Sequence, residues 1–226
     1  MNLTEEIKER AISFGAEKCG ISIVDRFKDA PKGFHPNDIY KNSKSVVVFL
    51  KQMPTDIIMA SNPMPYTNAA YSLYSELDKI ALELCRFIQT KNHNAVPIPA
   101  DTPYLYWDEE NQRGQGILSL RHAAFNAGLG FLGRNSLLIN PELGNMVYIG
   151  AVLTDISLTP GPIEKKLKCP PNCRICLDAC PNKALDGITV NQKLCREISF
   201  YKNERGFDIY DCNSCRKACI LRTGMK

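Results

Sequence analysis

Eight of the ten cysteines in this chain lie in its last quarter, at spacings that suit iron–sulfur chemistry. A cubane [4Fe–4S] cluster needs four converging thiolates, and short Cys-x-x-Cys turns bring neighbouring thiolates together from one loop. Eight thiolates are enough for two such clusters. The first group ends in Cys-Pro, at Cys180 and Pro181, as the bacterial ferredoxin run does. The eight are Cys169, Cys173, Cys176, Cys180, Cys195, Cys212, Cys215 and Cys219.

The order of these cysteines predicts two ligand sets that cross between the groups. In a two-cluster ferredoxin the fourth cysteine of the run binds the other cluster. The same rule assigns one cluster to Cys169, Cys173, Cys176 and Cys219. It assigns the other cluster to Cys180, Cys195, Cys212 and Cys215. The first gap departs from the ferredoxin run, because it holds three residues instead of two, and two prolines follow its first cysteine.

Zinc and disulfides are the alternative uses of these thiols. Structural zinc sites take separated Cys-x-x-Cys pairs rather than a three-cysteine run closed by Cys-Pro. Disulfides need an oxidising compartment, and the chain starts with Met-Asn-Leu-Thr-Glu-Glu, which is not an apolar signal segment. We therefore expect two [4Fe–4S] clusters in a cytoplasmic protein. Cys19 and Cys85 lie in apolar patterns typical of buried structural cysteines.

Composition indicates a soluble globular protein with a basic last quarter. The 226 residues suffice for one sizeable core and a small appended module, and no apolar run is long enough to span a bilayer. From position 161 onward 13 Lys and Arg face 7 Asp and Glu, whereas the first 160 residues carry 15 against 17. Two clusters with their thiolates add about −4. The basic segment is expected to offset that charge, and a nucleic-acid surface is the alternative.

Helical and strand patterns alternate through the first 160 residues, which predicts an α/β sandwich. The apolar run 45–50 is expected to be a strand buried on both faces, while two prolines confine the strand 95–99 to an edge or to a functional lip. Residues 62–66 are expected to be irregular, and residues 101–115 to form a long loop that is functional or mobile. The helical patterns cover 3–14, 70–88 and 118–127, and the other strand patterns cover 20–25 and 146–153.

Three glycines, Gly128, Gly130 and Gly133, match G-x-G-x-x-G between a predicted helix and a strand-like run. The dinucleotide-binding motif has the opposite order, strand then helix, so a Rossmann site is not predicted. The glycines predict either a close approach of the backbone to a bulky ligand or a tight helix-to-strand turn.

The segment 121–139, with Gly144, the strand ending at Thr154 and the two cysteine groups, resembles epoxyqueuosine reductases and is similar also to corrinoid-dependent reductive dehalogenases. Both families join a nitroreductase-like α/β domain, which holds cobalamin, to a ferredoxin-like module with two [4Fe–4S] clusters. The resemblance implies a corrinoid and substrate domain over residues 1–160 and a cluster module over residues 161–226. Cys195 matches a cysteine between the two groups of the queuosine enzyme, in keeping with the crossed ligand sets.

The same resemblance implies three corrinoid contacts. Ser136, Leu138 and Ile149 match positions that line the corrinoid in the queuosine enzyme. Ordinary sheet core is the alternative for Leu138 and Ile149.

A proton donor is implied as well, because reductive elimination of a hydroxyl needs a protonated leaving oxygen. Asp101, in Ala-Asp-Thr-Pro, is similar to the acid that donates a proton in the queuosine enzyme. A turn aspartate is the alternative role. Tyr104 and Tyr106 are rival donors, since the dehalogenases use a tyrosine. His122 is expected to be structural.

The resemblance therefore implies an oxidoreductase that passes electrons between its clusters and on to cobalamin, for a reductive step on an unidentified substrate. An electron-transfer protein without a corrinoid or substrate site is the alternative. The electron donor would be a flavodoxin, a ferredoxin or a reductase, and the substrate a small molecule or a modified nucleoside. The chain ends seven residues after Cys219, without the helical-repeat tail that grips transfer RNA in the queuosine enzyme. Transfer RNA is therefore not expected as a partner, nor is a membrane.

Overall fold

Helices and strands alternate through the computed structural model, which describes residues 2–164 and 168–223. The helices are α1 (Leu3–Ser13), α2 (Pro36–Ile39), α3 (Met64–Thr90), α4 (Leu120–Asn126), α5 (Ile175–Asp178), α6 (Gln192–Ser199) and α7 (Ser214–Thr223). The strands are β1 (Lys18–Ile23), β2 (Ser45–Gln52), β3 (Ala95–Ile98), β4 (Tyr106–Asp108), β5 (Arg113–Gln115), β6 (Phe131–Leu132), β7 (Leu138–Ile139), β8 (Val147–Thr154), β9 (Phe200–Lys202) and β10 (Asp208–Tyr210). In the described part of the chain, no helix is both long and apolar enough to cross a membrane.

A four-stranded antiparallel sheet in the order β1-β2-β8-β3 organises the first 160 residues. Helices α1 and α3 cover one face, and α4 covers the other. This arrangement confirms the mixed α/β fold expected from the sequence. Strand β3 is an edge strand, as its prolines predict, because Pro97 has no N–H to offer a further strand.

Strand β2 lies between two cores. Val47 and Phe49 enter the core beneath α1 and α3, whereas Val46, Val48 and Leu50 enter the core beneath α4. All five side chains are 0% exposed. Successive side chains of a strand point to opposite faces, so a strand between two layers must be apolar at every position. This is why the run 45–50 shows no polar alternation.

Helix α3 and the loop after β3 differ from the sequence prediction. Helix α3 starts at Met64, so residues 64–66 are helical rather than irregular. Pro65 is tolerated because the N–H groups of a first turn have no intrahelical partner. The segment 101–115 contains the hairpin β4–β5, in which Trp107 pairs with Gly114. Its strands are short and largely exposed, so they carry no apolar alternation that sequence reasoning could detect.

The cysteine-rich segment packs on helix α3 through the hairpin β9–β10 and helix α7. The hydroxyl of Tyr71 donates to the carbonyl of Asp208 at 3.3 Å, and the N–H of Tyr210 donates to Oγ1 of Thr67 at 3.1 Å. Ile220 of α7 joins the core beneath α1 and α3. The segment that carries the predicted metal ligands is therefore held against the sheet domain.

The glycine-rich segment after α4 forms a tight helix-to-strand turn. The N–H of Gly128 donates to the carbonyl of Phe125 at 3.0 Å, and the N–H of Leu129 donates to that of Ala124 at 3.0 Å. These bonds close the helix as a Schellman motif does. Gly128 has φ +76°, and a Cβ there would overlap the carbonyl oxygen of Pro162. Of the two roles predicted for these glycines, the turn is the one that Gly128 fills.

Replacing Gly128 by alanine is expected to lower the free energy of unfolding by about 2–4 kcal/mol. About 1–2 kcal/mol comes from the left-handed conformation, and displacing the Pro162 backbone adds the rest. Gly33→Ala is the matched control, since Gly33 has φ +91° and nothing lies within 4 Å of the place that a Cβ would occupy. Denaturant unfolding of both variants measures the difference, and equal losses would show that the contact with Pro162 has no energetic weight.

Candidate metal centre and proton donor

The thiols of the first predicted ligand set lie near one another. Burial raises the pKa of Cys176 to about 11, and the neighbouring thiols of Cys219, Cys169 and Cys173 add to the rise. Burial and the thiols of Cys169 and Cys173 also raise the pKa of Cys219. Electrostatic influence of this kind falls off with distance. The structure therefore brings together these four cysteines from both ends of the segment, with α5 packed against α7.

Three thiols of the second predicted set are also neighbours. Burial raises the pKa of Cys215 to about 11; Arg216 opposes the rise, and Cys195 and Cys212 add to it, as does Cys176 of the first set. Cys180 is 8% exposed, and its sulfur accepts a backbone N–H at 3.3 Å. A backbone N–H directed at sulfur is a contact that stabilises a thiolate ligand.

The described cysteines do not converge on a single point. Across residues 2–164 and 168–223, no three His, Cys, Asp or Glu side chains converge as the ligands of one metal ion would. The raised pKa values describe metal-free thiols, and a bound metal deprotonates such ligands.

Cys19 and Cys85 lie apart from these groups. Both pack in the core beneath α1 and α3. Burial raises the pKa of Cys19 to about 12 and that of Cys85 to about 11. Cys85 is buried and Cys19 is half-buried, as expected of structural cysteines that pack against a core.

Asp101 lies where the sheet domain meets the cysteine-rich segment. The hydroxyl of Tyr104 donates to its Oδ1 at 3.2 Å, and the hydroxyl of Tyr210 donates to its Oδ2 at 3.5 Å. Burial raises the pKa of Asp101, while these two donors and the charge of Arg196 partly oppose the rise. A carboxyl group with a raised pKa keeps its proton to higher pH, which is what a general acid needs.

The two tyrosines named as rival donors occupy different surroundings. Tyr104 donates to Asp101 and lines a cavity of about 220 Å³ beside it. The ring of Tyr106 instead packs on Phe34, with ring centroids 5.3 Å apart. The geometry therefore groups Tyr104, and not Tyr106, with the acid.

Tyr210 and Arg196 are members of this group that sequence reasoning missed. Tyr210 is 109 residues from Asp101 in the chain. Arg196 lies over the ring of Trp107, 5.2 Å from its centroid, and so connects α6 to the hairpin β4–β5. No local sequence pattern predicts either contact, because both depend on how the cysteine-rich segment packs against the rest of the fold.

The predicted corrinoid contacts lie at the turn before β7 and on β8. Ser136 and Leu138 are buried and Ile149 is half-buried; Leu138 and Ile149 pack in the core beneath α4. None of the three lines the cavity beside Asp101 or a second cavity near the start of α4. Ser136 has φ +63°, and its carbonyl accepts Nη1 of Arg121 at 2.9 Å.

Asn135, beside Ser136, carries a buried donor that sequence reasoning did not single out. Asn135 is 4% exposed, and its Nδ2 has no hydrogen-bond partner in the described part of the chain. A buried donor left unpaired is costly. A polar group of a bound ligand at this turn would satisfy it.

The second cavity, of about 540 Å³ near the start of α4, is rich in positive charge. Arg26, Arg113 and Arg121 line it with His122, against the single carboxylate of Asp29. Among the described residues none of these arginines forms an ion pair. Burial and the charge of Arg113 both lower the pKa of Arg121. The cavity therefore has uncompensated positive charge.

His122 has the structural contact expected of it. Its Nδ1 lies 2.7 Å from the hydroxyl of Ser119. Burial, followed by the charge of Arg121, lowers its pKa, so the imidazole stays neutral over a wider pH range.

The fold is shared with two groups of solved redox enzymes. A reductive dehalogenase whose structure suggests a mechanism for B12-dependent dehalogenation superposes with TM-score 0.69 at 20% identity, over 95% of this chain and 31% of that one. An epoxyqueuosine reductase solved with an epoxyqueuosine-modified tRNA stem loop superposes with TM-score 0.66 at 23% identity, over 99% of this chain and 66% of that one. The chain therefore has the fold of these solved reductases.

Sequence comparison finds similar proteins among the epoxyqueuosine reductases. The epoxyqueuosine reductase of Bacillus subtilis is 29% identical over 98% of this chain and 64% of its own length. That of Staphylococcus aureus is 36% identical over 49% of this chain and 31% of its own length. The chain thus spans less than two thirds of these relatives, and no family model matches it. The resemblance to epoxyqueuosine reductases is confirmed.

The expectation that transfer RNA is not a partner is not confirmed. One of the similar structures holds a tRNA stem loop.

Proposed function

We propose that this chain is an iron–sulfur reductase of the epoxyqueuosine-reductase type, with two [4Fe–4S] clusters and a proton donor at Asp101. The observation that carries the proposal is the grouping of thiols from distant parts of the chain, with Cys176 beside Cys219 and Cys215 beside Cys195. Each cluster of a crossed pair needs four thiolates that come from two separate runs.

The two parts of the fold would have different roles. Residues 1–160 would form the substrate and corrinoid domain, with a nitroreductase-like sandwich. Residues 161–226 would form the ferredoxin-like cluster module, of which residues 165–167 and 224–226 lie outside the described part of the chain. Electrons would enter from a flavodoxin, a ferredoxin or a reductase and pass singly through the clusters.

A corrinoid is the proposed acceptor of these electrons. When bound, it would supply a reducible cobalt centre close to the substrate. Asn135, with its unpaired buried Nδ2, and the neighbouring Ser136 are the residues that would hold its polar groups. Leu138 and Ile149 would support that turn from the core. The unpaired buried donor of Asn135 and the fold shared with the reductive dehalogenase support the proposal.

The chain itself would supply the proton. Asp101, whose pKa is raised by burial, would give its proton to an oxygen that leaves the substrate. The hydroxyls of Tyr104 and Tyr210 would then donate to both oxygens of the carboxylate that remains. These bonds stabilise the carboxylate without adding a charge, so they hold the acid in place and limit how far burial raises its pKa.

The arginine-lined cavity would receive an anionic group of the substrate. Arg113 and Arg121 present guanidinium groups without carboxylate partners, and such groups bind phosphate or carboxylate with paired hydrogen bonds. A phosphorylated modified nucleoside has this chemistry.

Replacing Arg113 by glutamine is expected to raise KM about tenfold with kcat unchanged. Arg205→Gln removes the same charge from an exposed position that does not line the cavity, and an equal rise in KM there would contradict the assignment.

The test of the function is an anaerobic titration of the cluster-loaded protein with cob(II)alamin, followed by electron paramagnetic resonance. A perturbed cobalt signal that saturates, with dithionite-dependent turnover of an epoxyqueuosine-modified stem loop, is the expected result. Full clusters with an unchanged cobalt signal and no turnover would favour the alternative, an electron-transfer protein without a corrinoid or substrate site.

A further inference from the structure

Arg216 is a charged residue that the proposed reaction does not use. It lies in α7, directly after Cys215, at the contact between the cysteine-rich segment and the sheet. Its Nη1 donates to the backbone carbonyl of Asn145 at 2.5 Å, and Nδ2 of Asn145 donates back to the carbonyl of Arg216 at 3.1 Å. Its guanidinium lies 5.5 Å from the centre of the Tyr148 ring. Two contacts thus fix the side chain, and a third holds the backbone of the same residue.

No carboxylate of the described residues forms an ion pair with this guanidinium. Its surroundings are neutral: Tyr148 is 6% exposed and shares a hydrogen bond with Tyr66, and Tyr74 packs edge-on against Tyr148. Holding a cation away from water without a counter-charge is unfavourable. The anionic groups available to it are the thiolates of the neighbouring cysteines.

The neighbour that Arg216 acts on is Cys215. Arg216 directly follows Cys215 in α7, and its guanidinium is fixed by Asn145, so a positive charge is held next to the residue that carries this predicted ligand thiol. Cys219 follows at the third position along α7, on the same side of the helix as Arg216. Asn145 connects the two, because it accepts from Arg216 and hydrogen-bonds to Cys219. Arg216 therefore lies next to the ligand set that includes Cys215, and Asn145 connects it to the ligand set that includes Cys219.

We propose that Arg216 is the positioning residue that sets the reduction potential of the cluster bound through Cys215. This inference rests on the proposed function, since it requires the clusters. A cluster with four thiolates gains one negative charge when it takes one electron. A fixed positive charge at low dielectric stabilises that reduced state more than the oxidised one. Arg216 would therefore raise the potential and draw the electron to this cluster.

The test is a dithionite titration of the cluster-loaded protein, monitored by electron paramagnetic resonance, for Arg216→Gln and Arg216→Lys. In Arg216→Gln the ratio of reduced to oxidised cluster at a fixed potential is expected to fall at least tenfold, which is about 59 mV for a one-electron couple. Arg216→Lys keeps the charge and is expected to stay within threefold of the wild type.

Lys217→Gln is the matched control. It removes the same charge from the next residue of α7, which points about 100° away around the helix, and it is expected to change the ratio less than threefold. An unchanged ratio in Arg216→Gln with full iron content would overturn the inference. If the glutamine variant fails to fold, Arg216→Lys decides the question. A tenfold fall in the ratio of reduced to oxidised cluster in this variant, which keeps the charge, would also overturn the inference. A wild-type protein that takes up no iron would instead refute the proposed function.

Discussion

Serine in place of Cys176 is expected to reduce the iron content from about eight to about four per chain. Cys176 is buried in α5 among Cys169, Cys173 and Cys219. A hydroxyl is a poor substitute for a thiolate at iron, and the buried position leaves little freedom for another ligand to replace it. Iron and acid-labile sulfide analysis after anaerobic reconstitution measures the loss.

Two further variants separate this explanation from a general loss of structure. Cys85→Ala removes a buried cysteine of α3 that belongs to neither thiol group, and it is expected to keep all of the iron. Cys219→Ser tests the crossing, because it should remove the same cluster signal as Cys176→Ser although Cys219 lies in the other run of the sequence. If Cys219→Ser instead gives the spectrum of Cys215→Ser, the crossed assignment is wrong.

Asparagine in place of Asp101 is expected to lower kcat by about 10²–10⁴-fold, the usual contribution of a general acid. The amide has the size of the carboxyl group but no proton to give, so the iron content should not change. The wild-type rate is expected to fall as pH rises through the pKa of Asp101, because only the protonated form donates. Burial raises that pKa, so the fall should begin above the range of an ordinary aspartate.

The readout is reduction of the epoxyqueuosine-modified stem loop, followed by mass spectrometry across a pH series. Asp108→Asn is the matched control, since Asp108 is exposed in the hairpin β4–β5 of the same loop region. A loss of less than twofold in Asp101→Asn would place the proton donor elsewhere. Tyr104→Phe would then be the next variant to measure, because Tyr104 hydrogen-bonds to Asp101.

The parts of the fold that the sequence predicts are those with a strong local signal. The apolar run of β2 and the apolar stripe of α3 are both clear in the sequence, and both are buried as expected. The hairpin β4–β5 was missed because its strands are three residues long and face solvent. The cysteine spacing predicts the two ligand sets; the thiols near Cys176 include members of its own set, and those near Cys215 include Cys176 of the other set as well as Cys195 and Cys212. The ligation itself stays a prediction.

The surroundings of Asp101 and Arg216 could not be predicted in this way. Tyr210 reaches Asp101 only because β10 docks on α3, and Arg216 reaches Asn145 only because α7 docks on the sheet. Contacts between residues far apart in the chain depend on docking geometry, and one sequence carries no periodic signal for it. The positive charge of the arginine-lined cavity could not be predicted for the same reason, since Arg26 and Arg113 belong to different segments that meet beside α4.

Binding of two iron–sulfur clusters through crossed cysteine sets is the property on which the proposed function depends. The most direct measurement is the iron and sulfide content of the full chain, reconstituted anaerobically and then reduced for electron paramagnetic resonance. About eight irons and eight sulfides per chain are expected, with signals from two clusters. About four irons, or zinc without sulfide, would contradict the assignment of two clusters.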